Sequence, residues 1–583
     1  MLRLSLKRWH PSRYELWMFG LVALATLARL VLIYNNWPTT NSDEGNMGLV
    51  ALHVAYRGEL PIFFYGLPYM GPVEGYLAAP LFHILGPSLF TLRLALIPLF
   101  VLFIAALFYL TRLLYSEKLA LLIVVLFSFG SLDIISRQLK AVGEYPETEL
   151  FAALICLFAA WFALSYARFS ATASRREWWK RLLAYGLLGL VIGLALWVDF
   201  LILPFVASAG LLLLLFCRKE LFSLMGLSLL IGCIIGIFPL IVYNVTAPLD
   251  RNSLNVLLDI HHAGAQALVG VELPWLKQII GTVMIALPLA TGANPLCPLE
   301  AIPMFGASSP LMAQCSILQG GWGLGYLALG VIAVLGAAGV AWKLWREQRT
   351  AQALTLEERQ ELILQCSRLM VLLSAGLTLL LYLISPSPAV VPFTSARYLT
   401  CLLIAVPALL WPLWRGLRRV QTGWGQARRI ASAGILLVIL AVFVLGTFRT
   451  FAEIPMAQDY YRQEGALIHK LESLGATRIY SEYWTCNRLT FHSQEKVICS
   501  ALEANLAPGF DRYAPYRDIV RAAAHPAYVF PLGSQQITNF ARKLAELKIA
   551  CQRYTFAGYA IFLPERPVSL GRQEVAAGLV MLA

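Results

Sequence analysis

Charge is what this chain has least of: Asp, Glu, Lys and Arg make up 14% of its 583 residues, against 59% hydrophobic. With a mean hydropathy of +0.68, that balance excludes an ordinary soluble domain and places the chain among polytopic membrane proteins. Clustered cysteine is missing as well. Ten Cys are scattered with no CxxC pair, which removes the usual cysteine metal sites. There is no Gly-rich nucleotide cradle, internal repeat or low-complexity tract, so no nucleotide cofactor is expected. A transferase built on this sequence would take its activated group from another carrier, and in a chain this apolar the natural carrier is a lipid. No small-residue cleavage site follows the first apolar run, Leu16 to Tyr34, which therefore reads as a retained span rather than a signal peptide.

Eleven apolar runs can be counted: 16–34, 91–110, 119–135, 148–166, 182–199, 200–216, 221–243, 322–342, 369–385, 398–414 and 430–448. Each approaches the roughly 20 residues that span a bilayer as a helix. The net charge of +13 could suggest nucleic acid, but its distribution argues otherwise. The basic groups Arg3/Lys7/Arg8/Arg13, Arg168/Arg175/Arg176/Lys180/Arg181, Lys343/Arg346/Arg349 and Arg415/Arg418/Arg419/Arg428/Arg429 all fall on one side of an eleven-span chain, as the positive-inside rule requires. The expected protein is an α-helical polytopic protein of the cell's inner or plasma membrane, with its N-terminus inside and everything after Phe448 outside. Its partners include membrane lipids and exclude nucleic acid.

This topology divides the chain into a membrane domain over 1–448, with large outer loops at 35–89 and 244–321, and an extracytoplasmic α/β domain over 449–583. In the latter, 460–474 reads as an amphipathic helix, 534–547 as another, and 477–483, 489–491, 496–499, 527–530 and 559–563 as short strands. The run 276–290, apolar but short and broken by Pro288, is expected to lie at the outer interface. Cys156, Cys217, Cys233 and Cys401 sit in apolar runs as small hydrophobes. Cys297 and Cys315 share one outer segment and Cys486 and Cys499 another, so each pair can form a disulfide.

A smaller set of charges stands at the outer face. Asp43 and Glu44, in Asn41-Ser42-Asp43-Glu44-Gly45, follow the first span. An ionised carboxylate there can accept the proton of an attacking hydroxyl; a solvated acidic pair, or the cap of a helix starting near Gly45, explains them equally well. The same loop continues through an aromatic, Gly- and Pro-rich stretch, 60–76, that holds Glu74 and suits packing on the membrane surface. The next outer loop, 136–147, carries Arg137, Lys140 and Glu144, and its cations could hold either a phosphate or lipid headgroups. Arg397 before Tyr398, like Arg29 and Arg93, either serves chemistry or snorkels at a span edge. The Ser481–Arg488 run is either part of a structural cap or a place for an acceptor.

The acidic pair after the first span, Tyr69-Met70-Gly71-Pro72-Val73-Glu74, Leu92-Arg93-Leu94, Gly143-Glu144-Tyr145 and Ala396-Arg397-Tyr398-Leu399 occur in an order that resembles the GT-C membrane glycosyltransferases. The likeness runs over about residues 15–450 and is nearest to the dolichyl-phosphate-mannose protein mannosyltransferase and aminoarabinose transferase group. It implies an outer active site that moves a sugar from a polyprenyl phosphate to a protein, lipid or glycan acceptor, usually with inversion. By this resemblance Asp43 is the catalytic base and Glu44 its neighbour or alternate. Lys140 and Arg397, with Arg93 or Arg137, receive the leaving phosphate, and Glu144, Tyr145 and Tyr398 belong to the substrate site. Some relatives hold a divalent metal at positions corresponding to Glu74 and His261 or His262. Gly75 stands where aminoarabinose-type relatives often carry Lys, which weakens transfer of that donor to this chain. The rival expectation is a transporter or lipid flippase, in which buried charges mark a substrate path.

Overall fold

The structure, a computed structural model, describes residues 11–172, 174–293, 297–307, 309–349, 355–417 and 423–570. Arg3, Lys7, Arg8, Arg418 and Arg419 lie outside them. Among the described residues nine helices are long and apolar enough to cross a membrane: Arg13–Tyr34 (α1), Leu89–Leu114, Tyr145–Tyr166, Arg175–Val198, Leu224–Thr246, Leu311–Gln348, Leu356–Ile384, Pro392–Gly416 and Gly423–Ser473. The two remaining apolar runs take other forms. Residues 119–135 fold as Glu117–Ser128 and Leu132–Leu139, bent by 82° at their junction, and Phe200–Phe216 is a shorter helix.

The bend has a local cause. Ser131 caps the second half through the Ile134 N–H, and the carbonyls left open at the end of the first half are taken by a cation from α1. Arg29 donates to the Phe127 carbonyl at 3.0 Å, the Ser128 carbonyl at 3.1 Å and Gln138 Oε1 at 3.0 Å, while its guanidinium lies 3.8 Å over the Phe100 ring. Arg29 is 1% exposed, so it does not snorkel to an interface. It satisfies backbone groups that hydrocarbon cannot.

Small residues set the closest helix pair. Gly189 and Gly193 of Arg175–Val198 face Gly232 and Gly236 of Leu224–Thr246, and a Cβ on Gly189 would come within 1.9 Å of the Leu229 carbonyl. Two Gly-x3-Gly spacings thus bring the backbones together, the usual device where no water drives apolar association. The 276–290 run departs from the interfacial helix expected of it. It forms Pro274–Ile280, a π-helical segment Gly281–Ala286 and Leu287–Thr291, and Ile285 through Thr291 are buried among other helices. Gly281 makes this possible, because a Cβ there would meet the Pro388 carbonyl at 1.9 Å.

The long loop 35–89 is largely helical, with Ser42–Arg57 (α2) and Val73–Leu85 (α3). Toward the C-terminus, Gly423–Ala452 crosses the expected 448/449 boundary and is followed by Ile454–Ser473. A five-stranded sheet comes next, with β1 Arg478–Ser481, β2 Ile498–Ala501, β3 Ala527–Pro531, β4 Cys551–Phe556 and β5 Tyr559–Pro564 in the order β2-β1-β3-β5-β4. β1 runs parallel to β2 and β3, pairing Ile479 with Cys499 and with Ala527, while β5 is antiparallel to β3 and β4. Ala557 and Gly558, both at positive φ, form the two-residue hairpin between β4 and β5. Side chains alternate across the sheet. Val529 and Ile561 face Leu467 and Leu471 of Ile454–Ser473, while Tyr528, Phe530 and Phe562 pack on Phe540 and Leu544 of the Gln535–Leu547 helix.

One expected strand is a helix. Leu489 to Phe491 belongs to Tyr483–His492, since a run of three residues cannot distinguish the two periods. Disulfides join Cys297 to Cys315 and Cys486 to Cys499.

Candidate active site

Asp43 and Glu44 both sit in the first turn of α2, where acidic side chains suit the positive end of the helix dipole. Neither is the cap. Asn41 fills that place by accepting the Glu44 N–H at 3.0 Å. The start of α2 is pinned to the start of the Tyr483–His492 helix, because Ser42 Oγ donates to the Tyr483 carbonyl at 2.5 Å and accepts the Asn487 N–H at 3.2 Å. Glycines allow the two helices to touch. A Cβ on Gly45 would lie 2.5 Å from Arg488 Cα, and one on Gly48 2.6 Å from the Phe491 ring.

The two carboxylates diverge from there. Glu44 is fully buried and bidentate to Arg93, with Nε to Oε1 at 2.8 Å and Nη2 to Oε2 at 2.6 Å, and Oε1 also accepts the Ala141 N–H at 3.2 Å. Both its oxygens are occupied, which corrects the expectation of an alternate base. Arg93, 0% exposed and also donating to the Pro38 carbonyl, is engaged in this pair through Nε and Nη2, with Nη1 buried and unpartnered. Asp43 keeps an edge open. Its Oδ1 accepts from Arg512 Nη2 at 2.8 Å and from the Tyr483 hydroxyl, while no described residue bonds Oδ2, and the side chain is 14% exposed. Burial would push this carboxyl up, but the Arg512 guanidinium, the Tyr483 hydroxyl and Arg397 together hold it below the usual carboxylate range.

Two cations lie in the electrostatic reach of Asp43 with no salt bridge to a carboxylate among the described residues. Burial lowers the Lys140 ammonium, with Glu44 and Asp43 opposing that shift and Arg93 adding to it, and the ammonium has no hydrogen-bond acceptor among the described residues. Arg397 donates only to its neighbour Tyr398, at 3.2 Å, and lies 5.2 Å over that ring. Its Nε is buried with no partner. Arg137 differs, being bound by Asp133 through Nε at 2.7 Å and Nη2 at 2.9 Å.

Glu144, at φ 72, follows Gly143 at φ 90, and this left-handed pair turns the chain so that the Gly143 N–H donates to Glu74 Oε2 at 2.7 Å. Glu144 and Tyr145 are 2% and 4% exposed, so they shape the wall of the site rather than its opening. The metal expectation does not fit this arrangement. Glu74 is buried in α3 while His261 and His262 are exposed on the Ser253–Gln266 helix, and no group of three or more His, Cys, Asp or Glu among the described residues could hold a metal ion.

Arg512 escaped the sequence reading entirely. It lies 469 positions from Asp43 in a loop with no motif, and no local signal could have linked the two. Tyr483 stood in the run suspected of acceptor recognition, yet its hydroxyl points at Asp43.

An apolar helical bundle, a helical first long loop bearing the carboxylates, and a small α/β domain seated on that loop together make the GT-C architecture. The structure is similar to ArnT, an aminoarabinose transferase, from Cupriavidus metallidurans bound to undecaprenyl phosphate, with TM-score 0.52 and 14% identity over 96% of this chain and 99% of that one. The apo form of the same protein gives TM-score 0.50 with 13% identity over 97% and 100%. The apo oligosaccharyltransferase of Archaeoglobus fulgidus gives 0.45 with 14% identity over 95% and 77%. No family model matches the sequence, and no curated protein matches it. At such identities the likeness establishes the fold.

Proposed function

We propose that this protein is a membrane glycosyltransferase that moves a sugar from a polyprenyl phosphate to an acceptor hydroxyl at the outer face, with Asp43 as general base. The observation that carries the reading is the Asp43 Oδ2, unbonded among the described residues, in the field of two cations that form no salt bridge there. Oδ2 takes the proton of the acceptor hydroxyl as that oxygen bonds to the anomeric carbon. The bond from that carbon to the lipid-phosphate oxygen breaks, and the electron pair leaves with the phosphate. Lys140 and Arg397 meet the negative charge that develops there. Attack opposite the leaving group inverts the anomeric centre. Undecaprenyl phosphate is bound by ArnT, and the shared fold makes a lipid of that class the first donor to try.

The test is transfer of labelled sugar from polyprenyl phosphate by the purified protein in lipid. A transporter or flippase would move the donor without breaking the glycosidic bond, and absence of any labelled product sinks the proposal. Charged hydrogen bonds contribute about 1.5–3 kcal/mol, so Lys140→Ala and Arg397→Ala are each expected to raise the donor KM roughly 10- to 100-fold. Unchanged donor titrations would remove either residue from the phosphate site.

The same reading puts the sheet domain outside the cell membrane, in keeping with disulfides at Cys297–Cys315 and Cys486–Cys499, which persist in oxidising compartments. A reporter enzyme that folds only in such a compartment, fused after Pro564, is expected to be active. Activity only from fusions in the 415–429 connection would reverse the orientation.

A further inference from the structure

We infer that Arg512 and Tyr483 of the C-terminal sheet domain are positioning residues for Asp43, so that the active site is completed only when that domain is seated on α2. The inference rests on the proposed role of Asp43 as base and adds to it the part played by a second domain.

The geometry is a closed ring of three groups. Arg512 Nη2 donates to Asp43 Oδ1 at 2.8 Å, Arg512 Nε donates to the Tyr483 oxygen at 2.7 Å, and the Tyr483 hydroxyl donates to the same Asp43 Oδ1. Every bond to the carboxylate from the described residues thus falls on one oxygen, and the other is left unbonded. A carboxylate free to rotate would present either oxygen in many directions; two donors converging on Oδ1 hold one orientation. The ring is itself supported. The Arg512 guanidinium lies 5.3 Å from the Phe64 and Phe510 rings and 5.7 Å from the Tyr483 ring, with Phe64 coming from the membrane-side loop and the other two from the sheet domain. Gly66 leaves the room, since a Cβ there would meet Phe510 at 2.8 Å and Arg512 Cδ at 2.9 Å. Ser42, one residue before Asp43, is bonded to the backbone of the same helix that carries Tyr483. Backbone, side chain and aromatic packing thus register one domain on the other at the base.

Four groups face Asp43: Arg512 and Tyr483 from the sheet domain, Arg397 from the Pro392–Gly416 helix and Lys140 from the loop before Tyr145. The cations on the bundle side are the ones open to a leaving phosphate. Arg512 is engaged by Asp43 and Tyr483 through two of its three nitrogens, with Nη1 buried and unpartnered, and is 8% exposed. Charge for the donor and orientation for the base are supplied from opposite sides of the site.

The experiment uses the full-length protein with Arg512→Gln, Arg512→Lys and Tyr483→Phe. The positioning role predicts a kcat lowered about 10- to 100-fold in Arg512→Gln with the donor KM unchanged. It also predicts an acid limb of kcat/KM displaced upward by about one pH unit or more, because removal of the guanidinium leaves burial to dominate the carboxyl. Arg512→Lys restores the acid limb in part, and Tyr483→Phe, which removes only a hydroxyl, lowers kcat in the same direction. An unchanged kcat and acid limb overturn the inference. So does a raised kcat, which would make Arg512 a group that sequesters the base. Thermal unfolding of Asp43→Ala, which removes the acceptor, of Arg512→Gln and of the double variant gives a coupling that needs no turnover. If the wild type transfers no sugar, the proposed function fails, while this cycle still decides whether the clamp exists; additive unfolding shifts overturn it.

Discussion

Asp43→Asn is expected to fold, insert and bind donor as the parent does while transferring sugar about 10²- to 10⁴-fold more slowly, the usual contribution of a positioned general base. That loss corresponds to roughly 3–5 kcal/mol on the barrier. The change is close to isosteric. An Asn Oδ1 can still accept from Arg512 Nη2 and from the Tyr483 hydroxyl, and this pair is 6% and 14% exposed where Arg93–Glu44 is 0% on both sides, so the cost in stability is well below that of the same change at Glu44. What disappears is the proton acceptor at Oδ2. The measurement is kcat for sugar transfer beside the melting temperature of the same preparation. Parent-like turnover by a well-folded Asp43→Asn protein would take Asp43 out of the chemistry.

The position of this carboxylate could be read in the sequence because it depends on local features, an acidic pair just beyond a run long enough to span. The cation partners Lys140 and Arg397 could be found in the same way, as rare charges at the ends of apolar runs. Arg512 could not, because its relation to Asp43 exists only once a loop of the sheet domain folds over α2. The helix that bears the pair was hard to see for a related reason. Gly45 and Gly48 lower helix propensity, and α2 holds its form because those glycines let it lie against Tyr483–His492. Hydropathy marked all eleven apolar runs, and each is helical. It says nothing about the break at Phe129 to Ser131, which depends on a serine cap and on Arg29 from another helix.

Glu44→Gln is expected to do the opposite of the change at its neighbour, damaging the fold. The Glu44–Arg93 pair has 0% exposure on both side chains. Removing one charge strands the other in a medium that cannot solvate it, at a cost of about 3–5 kcal/mol, well above that of Asp43→Asn. The damage spreads along a defined route. Glu44 Oε1 accepts the Ala141 N–H, so displacement of this side chain by the stranded Arg93 passes to the loop carrying Lys140, and donor binding weakens even in molecules that remain folded. Arg93→Met is expected to be as harmful, because it leaves the Glu44 carboxylate unpaired. Changing both residues together, Glu44→Leu with Arg93→Met, should recover most of the stability, since a buried ion pair contributes little beyond apolar packing of the same volume. Donor affinity should not return with it, as Leu offers nothing to the Ala141 N–H. The check is thermal unfolding of the four proteins beside donor titration. Equal melting temperatures for Glu44→Gln and Asp43→Asn would mean that the buried pair is not what holds this face of the bundle together.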